Sequence, residues 1–258
     1  MKFISANYWQ PGENASSLLL QQCRLGETEV LLACVTSGAT EESGRAGGYL
    51  TGRLLEWFRG IPLKRAVKNP ESFLRREAAQ LEHLVKEADF ELAQAGIGQA
   101  GYLRARIGQT KPARAESEKV GFAGILCMGW DFLLFGRGST SVFLLNRSMG
   151  KAGAERLFGT GELSESGRVF GTGELPESER DSGAEKIQIC QGIMEPEVGL
   201  LLATESFASS IPEKEWKEGL FVVEIQTESQ AEKHLLELGS AAEKSGGRHM
   251  AAVLFYAG

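Results

Sequence analysis

Residues 28–40 read TEVLLACVTSGAT, and the architecture can be worked outward from them. Positions 30–35 are apolar without a break. A strand covered on one face alternates apolar and polar residues, so an unbroken run points to a central strand buried on both faces. The strand then runs straight into small residues, Ser37-Gly38-Ala39-Thr40. Segment 37–48 (SGATEESGRAGG) reads as a Gly-rich loop, with a short helix over 49–58 behind it.

Upstream, 17–24 (SLLLQQCR) joins this strand through Leu25-Gly26-Glu27, a hairpin turn containing Gly. Segment 2–9 (KFISANYW) alternates and carries aromatics, as a first strand should. Downstream, Asn69 precedes Pro70, an N-cap followed by Pro at the first helical position. Phe73, Leu74, Ala78, Leu81, Leu84, Val85, Ala88 and Leu92 then recur at three- and four-residue steps, and Gly96 closes the helix. Strands are expected over 102–107, 121–128, 132–137, 141–145, 187–191, 199–203 and 249–256, and helices over 212–218 and 230–244. The order is strands, helices, strands, a helix and a last strand. This is not strict βαβ alternation, so the expected class is α+β, with antiparallel sheets inside and helices outside.

The 258 residues suit a single domain over 1–258. Within it, 148–185 reads as an inserted, mobile loop. There RLFGTGELSESG (156–167) is nearly repeated by RVFGTGELPESE (168–179). Two copies are too few for a solenoid, and GTGEL lacks the Lys of a phosphate-binding P-loop. Phe158 and Phe170 stand at matching places in the copies and are candidates to dock on a partner or on the domain itself.

A net charge of -6 with short, scattered basic clusters excludes nucleic acid, which demands a concentrated basic face. The N-terminus has no long apolar stretch, and no apolar run approaches the roughly 20 residues that span a bilayer, so no membrane insertion is expected. Four Cys without a CxxC pair read as buried free thiols in a reducing cytoplasm. His83 and His234, on amphipathic helices, are expected to be solvated, and His249 beside an apolar strand to be structural. No HExxH, HxH or GxSxG spacing offers a metal site or a serine nucleophile.

Five segments in order carry a further signal: Glu13-Asn14-Ala15-Ser16 before a strand; LLACV running into Thr36-Ser37-Gly38; Gly121-Phe122-Ala123 opening a strand whose hairpin leads to Gly138-Ser139-Thr140-Ser141; Leu201-Leu202-Ala203-Thr204-Glu205-Ser206-Phe207; and Arg248-His249-Met250 before AVLFYA. Together they resemble the degenerate motifs of the metal-dependent protein phosphatases of the 2C type (PP2C), especially the short stand-alone bacterial members. The resemblance covers most of the chain outside the insert. It implies a four-layer α-β-β-α sandwich. In that family Asp oxygens hold two Mn²⁺ or Mg²⁺ ions, which activate a water against a phosphomonoester.

The departures bear on the chemistry. Only three of the thirty-four acidic residues are Asp: Asp89, Asp131 and Asp181. None stands at a family motif position. The degenerate metal positions are Ser16, Ser37, Gly38, Ser139, Glu205 and Arg248. Hard dications need charged oxygen ligands, and two of them need several carboxylates to offset their repulsion. Neutral hydroxyls supply neither, and Arg248 brings a cation where a cation should bind. No catalytic residue and no cofactor are therefore expected. The chain reads as an inactive, pseudophosphatase-like binding or regulatory module with a protein partner, such as a phosphoprotein or a kinase. Arg45 and Arg248 are candidates to hold an anion, and Glu205 and Arg248 to pair with each other. The alternative is an active, divergent Mn- or Mg-dependent phosphatase with a shifted ligand set drawn from Glu13, Glu41, Glu42 and Glu205. A third reading is an unrelated α+β protein with chance motif echoes.

Overall fold

A computed structural model describes residues 2–10, 16–37, 40–95, 97, 120–138, 140–146, 153–158, 187–194, 198–211, 225 and 227–257. In β3 (Thr28–Ser37), Val30, Leu32 and Cys34 point one way and Leu31, Ala33 and Val35 the other, and all six are fully buried. A strand covered on both faces must lie between two layers, and the rest of the fold supplies them.

One antiparallel sheet runs β2 (Ser16–Leu25), β3, β4 (Gly121–Met128), β5 (Asp131–Arg137), β8 (Gln188–Ile193). The other runs β1 (Phe3–Trp9), β10 (Ala251–Ala257), β9 (Val198–Thr204), β6 (Thr140–Asn146), β7 (Gly153–Phe158). The β2–β3 and β4–β5 hairpins turn at Gly26 and Gly129, both at positive φ, where a residue lacking Cβ is favoured.

Three apolar interfaces join four layers. Between the sheets, Leu31, Ala33 and Val35 meet Leu200, Leu202, Val253 and Phe255. Outside the β3 sheet, Val30, Leu32 and Cys34 pack with residues of α1 (Glu41–Gly60), α2 (Leu63–Ala66) and α3 (Pro70–Gln94). Outside the β10 sheet, Ala252, Leu254 and Tyr256 pack with α4 (Glu205–Ser210) and α5 (Glu228–Lys244). Each fully buried Leu, Val or Phe contributes about 1.5–3 kcal/mol. The architecture is the expected α-β-β-α sandwich.

Most expected elements fall within a residue or two of their places. Asn69 caps α3 by accepting from the Ser72 amide at 3.3 Å, with Pro70 next. All four cysteines are free thiols, and complete burial pushes those of Cys34 and Cys127 up. Three readings change. Residues 41–48 are helical rather than a loop: Thr40 and Ser43 form a reciprocal capping box that satisfies the first-turn amides, so α1 starts eight residues early. His234 is buried at 6% exposure, not solvated, because it shares with Ala231, Leu235 and Leu238 the face of α5 that lies on the sheet. Within 148–185, residues 153–158 form β7, which pairs with β6 and places Phe158 opposite Val142. The expected elements at 102–107 and 212–218, and residues 159–186 with most of the tandem repeat, lie outside the described residues.

Candidate functional site

The site follows from which strand ends meet. In the β3 sheet, Ser16 is the register partner of Ser37, and Ser37 of Gly121. In the β10 sheet, Trp9 opposes Ala251 and Thr140 opposes Thr204. The Trp9 indole Nε1 donates to the Ser16 carbonyl at 3.3 Å, so the two sheet ends lie side by side. Ser16, Ser37, Thr204 and the residues after Thr204 therefore gather at one end of the sandwich. Gly38 and Ser139 lie outside the described residues.

Helix α1 sits hard on this end. A Cβ on Gly47 would stand 2.3 Å from Thr36 Oγ1, so glycine permits the approach. Thr36 Oγ1 in turn accepts from the Ser17 amide at 3.0 Å, and Thr51 Oγ1 donates to the carbonyls of Gly47 and Gly48. Between α1, β1 and β2 opens a cleft of about 520 Å³, lined by Asn7, Trp9, Ser16, Ser17, Leu18, Gly44 and Thr51. Arg45, one residue beyond Gly44, is exposed.

Thr204 organises the opposite lip. Its buried Oγ1 accepts from the Phe207 amide at 3.4 Å, capping α4, and from the Ala251 amide at 3.2 Å. Glu205 is the first residue of α4, where the helix dipole favours an acid, and it accepts from Ser141 Oγ at 3.1 Å. The exposed Arg248 is held through its backbone: its amide donates to Ser206 Oγ at 3.2 Å, and that hydroxyl donates to its carbonyl at 2.6 Å. His249 next to it adopts a left-handed backbone, φ 54°. The expected ion pair between Glu205 and Arg248 does not form among the described residues. Glu205 is engaged by Ser141, and the backbone of Arg248 is fixed by Ser206.

Sequence reasoning missed three features. Trp9 reads only as an aromatic ending an alternating strand, yet it bridges the sheets while 51% exposed. Ser141 and Thr204, small hydroxyls in apolar strands, are buried and polar-bonded. Asp89 on α3 accepts from both terminal guanidinium nitrogens of Arg137 at 2.5 Å, and Arg137 Nε donates to the Val120 carbonyl at 3.1 Å. The pair ties α3 to the strand end beside Ser37. Forty-eight residues separate its members, so no local pattern announces it.

Among the described residues, the donor set at these positions does not fit two dications. The metal positions that fall in the described residues offer two neutral hydroxyls, one carboxylate already bonded at a helix start, and a guanidinium. Among the described residues, no group of three or more His, Cys, Asp and Glu is close enough to hold a metal ion. Among them, too, no helix is long and apolar enough to cross a membrane.

No family model matches the chain, and no curated protein sequence matches it. Solved structures do. The chain is similar to PppA, a key regulatory component of T6SS in Pseudomonas aeruginosa, with 12% identity and a TM-score of 0.58 over 99% of this chain and 97% of that one. It is similar to a serine/threonine phosphatase from Staphylococcus aureus, with 14% identity and a TM-score of 0.55 over 100% and 95%. It is also similar to the catalytic domain of the serine/threonine protein phosphatase PstP in complex with two manganese ions, with 12% identity and a TM-score of 0.52 over 98% and 96%. The chain has the fold of the bacterial PP2C-type serine/threonine phosphatases.

Proposed function

We propose that this chain is a catalytically inactive module of the phosphatase fold that binds a protein partner. One observation carries the reading: where the sheet ends meet, the partners across β2 and β3 are Ser16 and Ser37, not carboxylates. Serine hydroxyls stay protonated near neutrality and bind Mn²⁺ or Mg²⁺ poorly. Among the described family positions Glu205 is the one acid, and its bond to Ser141 and its place at the start of α4 give it a structural role without metal. Fold alone does not confer activity, and the changed ligand set supports the inactive reading.

The partner is a phosphoprotein or a kinase, with the exposed Arg45 and Arg248 as anion contacts. Four free thiols support a reducing, cytoplasmic setting for the module. The test is hydrolysis of p-nitrophenyl phosphate and of a phosphothreonine peptide, each with millimolar Mn²⁺ or Mg²⁺. Release no faster than the blank is expected. Metal-dependent turnover that Glu205→Ala abolishes would overturn the reading.

A further inference from the structure

Strand β2 is an edge strand: among the described residues its one sheet neighbour is β3. A strand wetted on one face shows alternating exposure. In β2 the exposure does not alternate, and every residue from Ser17 to Cys23 is half-buried. Leu18 and Leu20 pack toward the sheet interface and Leu19 and Cys23 toward the helices, so both faces are covered and solvent reaches the strand along its edge. The cleft agrees. Ser16, Ser17 and Leu18 all line it, and three consecutive residues border one cavity when it lies against a strand's edge.

Long open edges are hazards that proteins blunt with lysine, proline, bulges or brevity. Strand β2 uses none of these. It is ten residues long, carries the single charge of Arg24 near its far end, has no proline, and keeps an unshifted register with β3 from Ser16 to Leu25. Among the described residues the Trp9 indole bonds to the backbone of the edge at the Ser16 carbonyl, and that bond is long at 3.3 Å.

We propose that the β2 edge receives an extended, unphosphorylated segment of a partner protein as a sixth strand of its sheet. Main-chain hydrogen bonds along β2 supply the affinity, and the cleft takes the side chains at the Ser16 end. An incoming amide replaces the indole on the Ser16 carbonyl, and the freed Trp9 lies over the added strand. The cleft's described lining holds no charged residue: it is Trp9, Asn7, Leu18, Gly44 and three hydroxyl residues, which suits uncharged residues on the segment. Its volume suits a few residues of one strand rather than a second sandwich. The proposal deepens the binding-module reading and rests on it, but its test does not depend on catalysis.

The test has two arms. Hydrogen exchange on the isolated chain reads the edge directly: outward amides of β2 are expected to exchange at least tenfold faster than those of β3. Uniform protection of β2 in the free chain would overturn the proposal, because a second copy or another part of the chain would already fill the edge. In the second arm, displayed random twelve-residue peptides are selected on the chain. Selected peptides are expected to be uncharged and to protect β2 amides at least tenfold. They are expected to lose at least tenfold in affinity to Gln21→Lys while that variant melts as the parent does, and to shift the Trp9 fluorescence that Trp9→Phe removes. No enrichment, or peptides that bind Gln21→Lys as tightly, would overturn it. Phosphatase turnover would overturn the inactive reading and leave these arms unchanged.

Discussion

Ser16 and Ser37 are register partners across β2 and β3, the first 9% exposed and the second half-buried. Like charges directly opposite on neighbouring strands repel, and each such pair costs up to about 1 kcal/mol. Ser16→Asp combined with Ser37→Asp is therefore expected to lower the melting temperature by about 2–4 °C in metal-free buffer. Millimolar Mn²⁺ should return part of the loss, because the new carboxylates have a dication to share. Thermal unfolding of parent and double variant, with and without Mn²⁺, checks this.

The Asp89–Arg137 pair makes a sharper stability prediction. Arg137 has a side chain 3% exposed, and removing its partner leaves an uncompensated buried charge. Asp89→Ala is expected to cost about 3–5 kcal/mol. The double variant Asp89→Leu with Arg137→Leu should cost clearly less, since neither charge is then stranded. Urea denaturation of the three proteins reads both numbers.

Gly47 measures how tightly α1 is seated. A methyl group there would meet Thr36 Oγ1 at 2.3 Å and Cβ at 3.1 Å. Gly47→Ala is expected to destabilise by about 1–3 kcal/mol through overpacking. Adding Thr36→Ala should recover part of that loss, and a double-mutant cycle by chemical denaturation gives the coupling.

Asp131 predicts a pH dependence. Burial, and then the Glu71 carboxylate, raise its pKa above the usual aspartate value. The folded state then holds the proton more tightly than the unfolded chain. The group favours the fold when protonated, and this contribution is lost as pH rises through the unfolded and then the raised folded pKa. Asp131→Asn should therefore melt higher than the parent at pH 7, and the difference should shrink as pH falls toward about 4. Melting curves across that range decide.

The fold was legible because its strongest signals are local. The unbroken apolar run of β3 demanded layers on both sides, and Asn69-Pro70 fixed the start of α3. The first eight residues of α1 were hidden because Gly44, Gly47 and Gly48 look like a loop. At Gly47 the missing side chain is a packing requirement set by Thr36, a residue of another element. Burial of His234 was hidden similarly, since the width of the buried face of α5 depends on the sheet beneath it. The motif echoes name Ser16, Ser37, Glu205 and Arg248, but the bonds these residues make are recorded in no motif. Glu205 turns to Ser141, sixty-four residues away, and the backbone of Arg248 to Ser206, forty-two away. The role of Trp9 is a relation between two sheet edges, which no single segment records.

A phosphatase fold that has lost its metal chemistry, as proposed above, should not take up Mn²⁺. Calorimetric titration of the metal-stripped chain with Mn²⁺ tests it most directly. The expected result is no binding heat up to millimolar Mn²⁺, with the melting temperature unchanged. Binding of more than one Mn²⁺ at micromolar concentration, lost in Glu205→Ala, would contradict it.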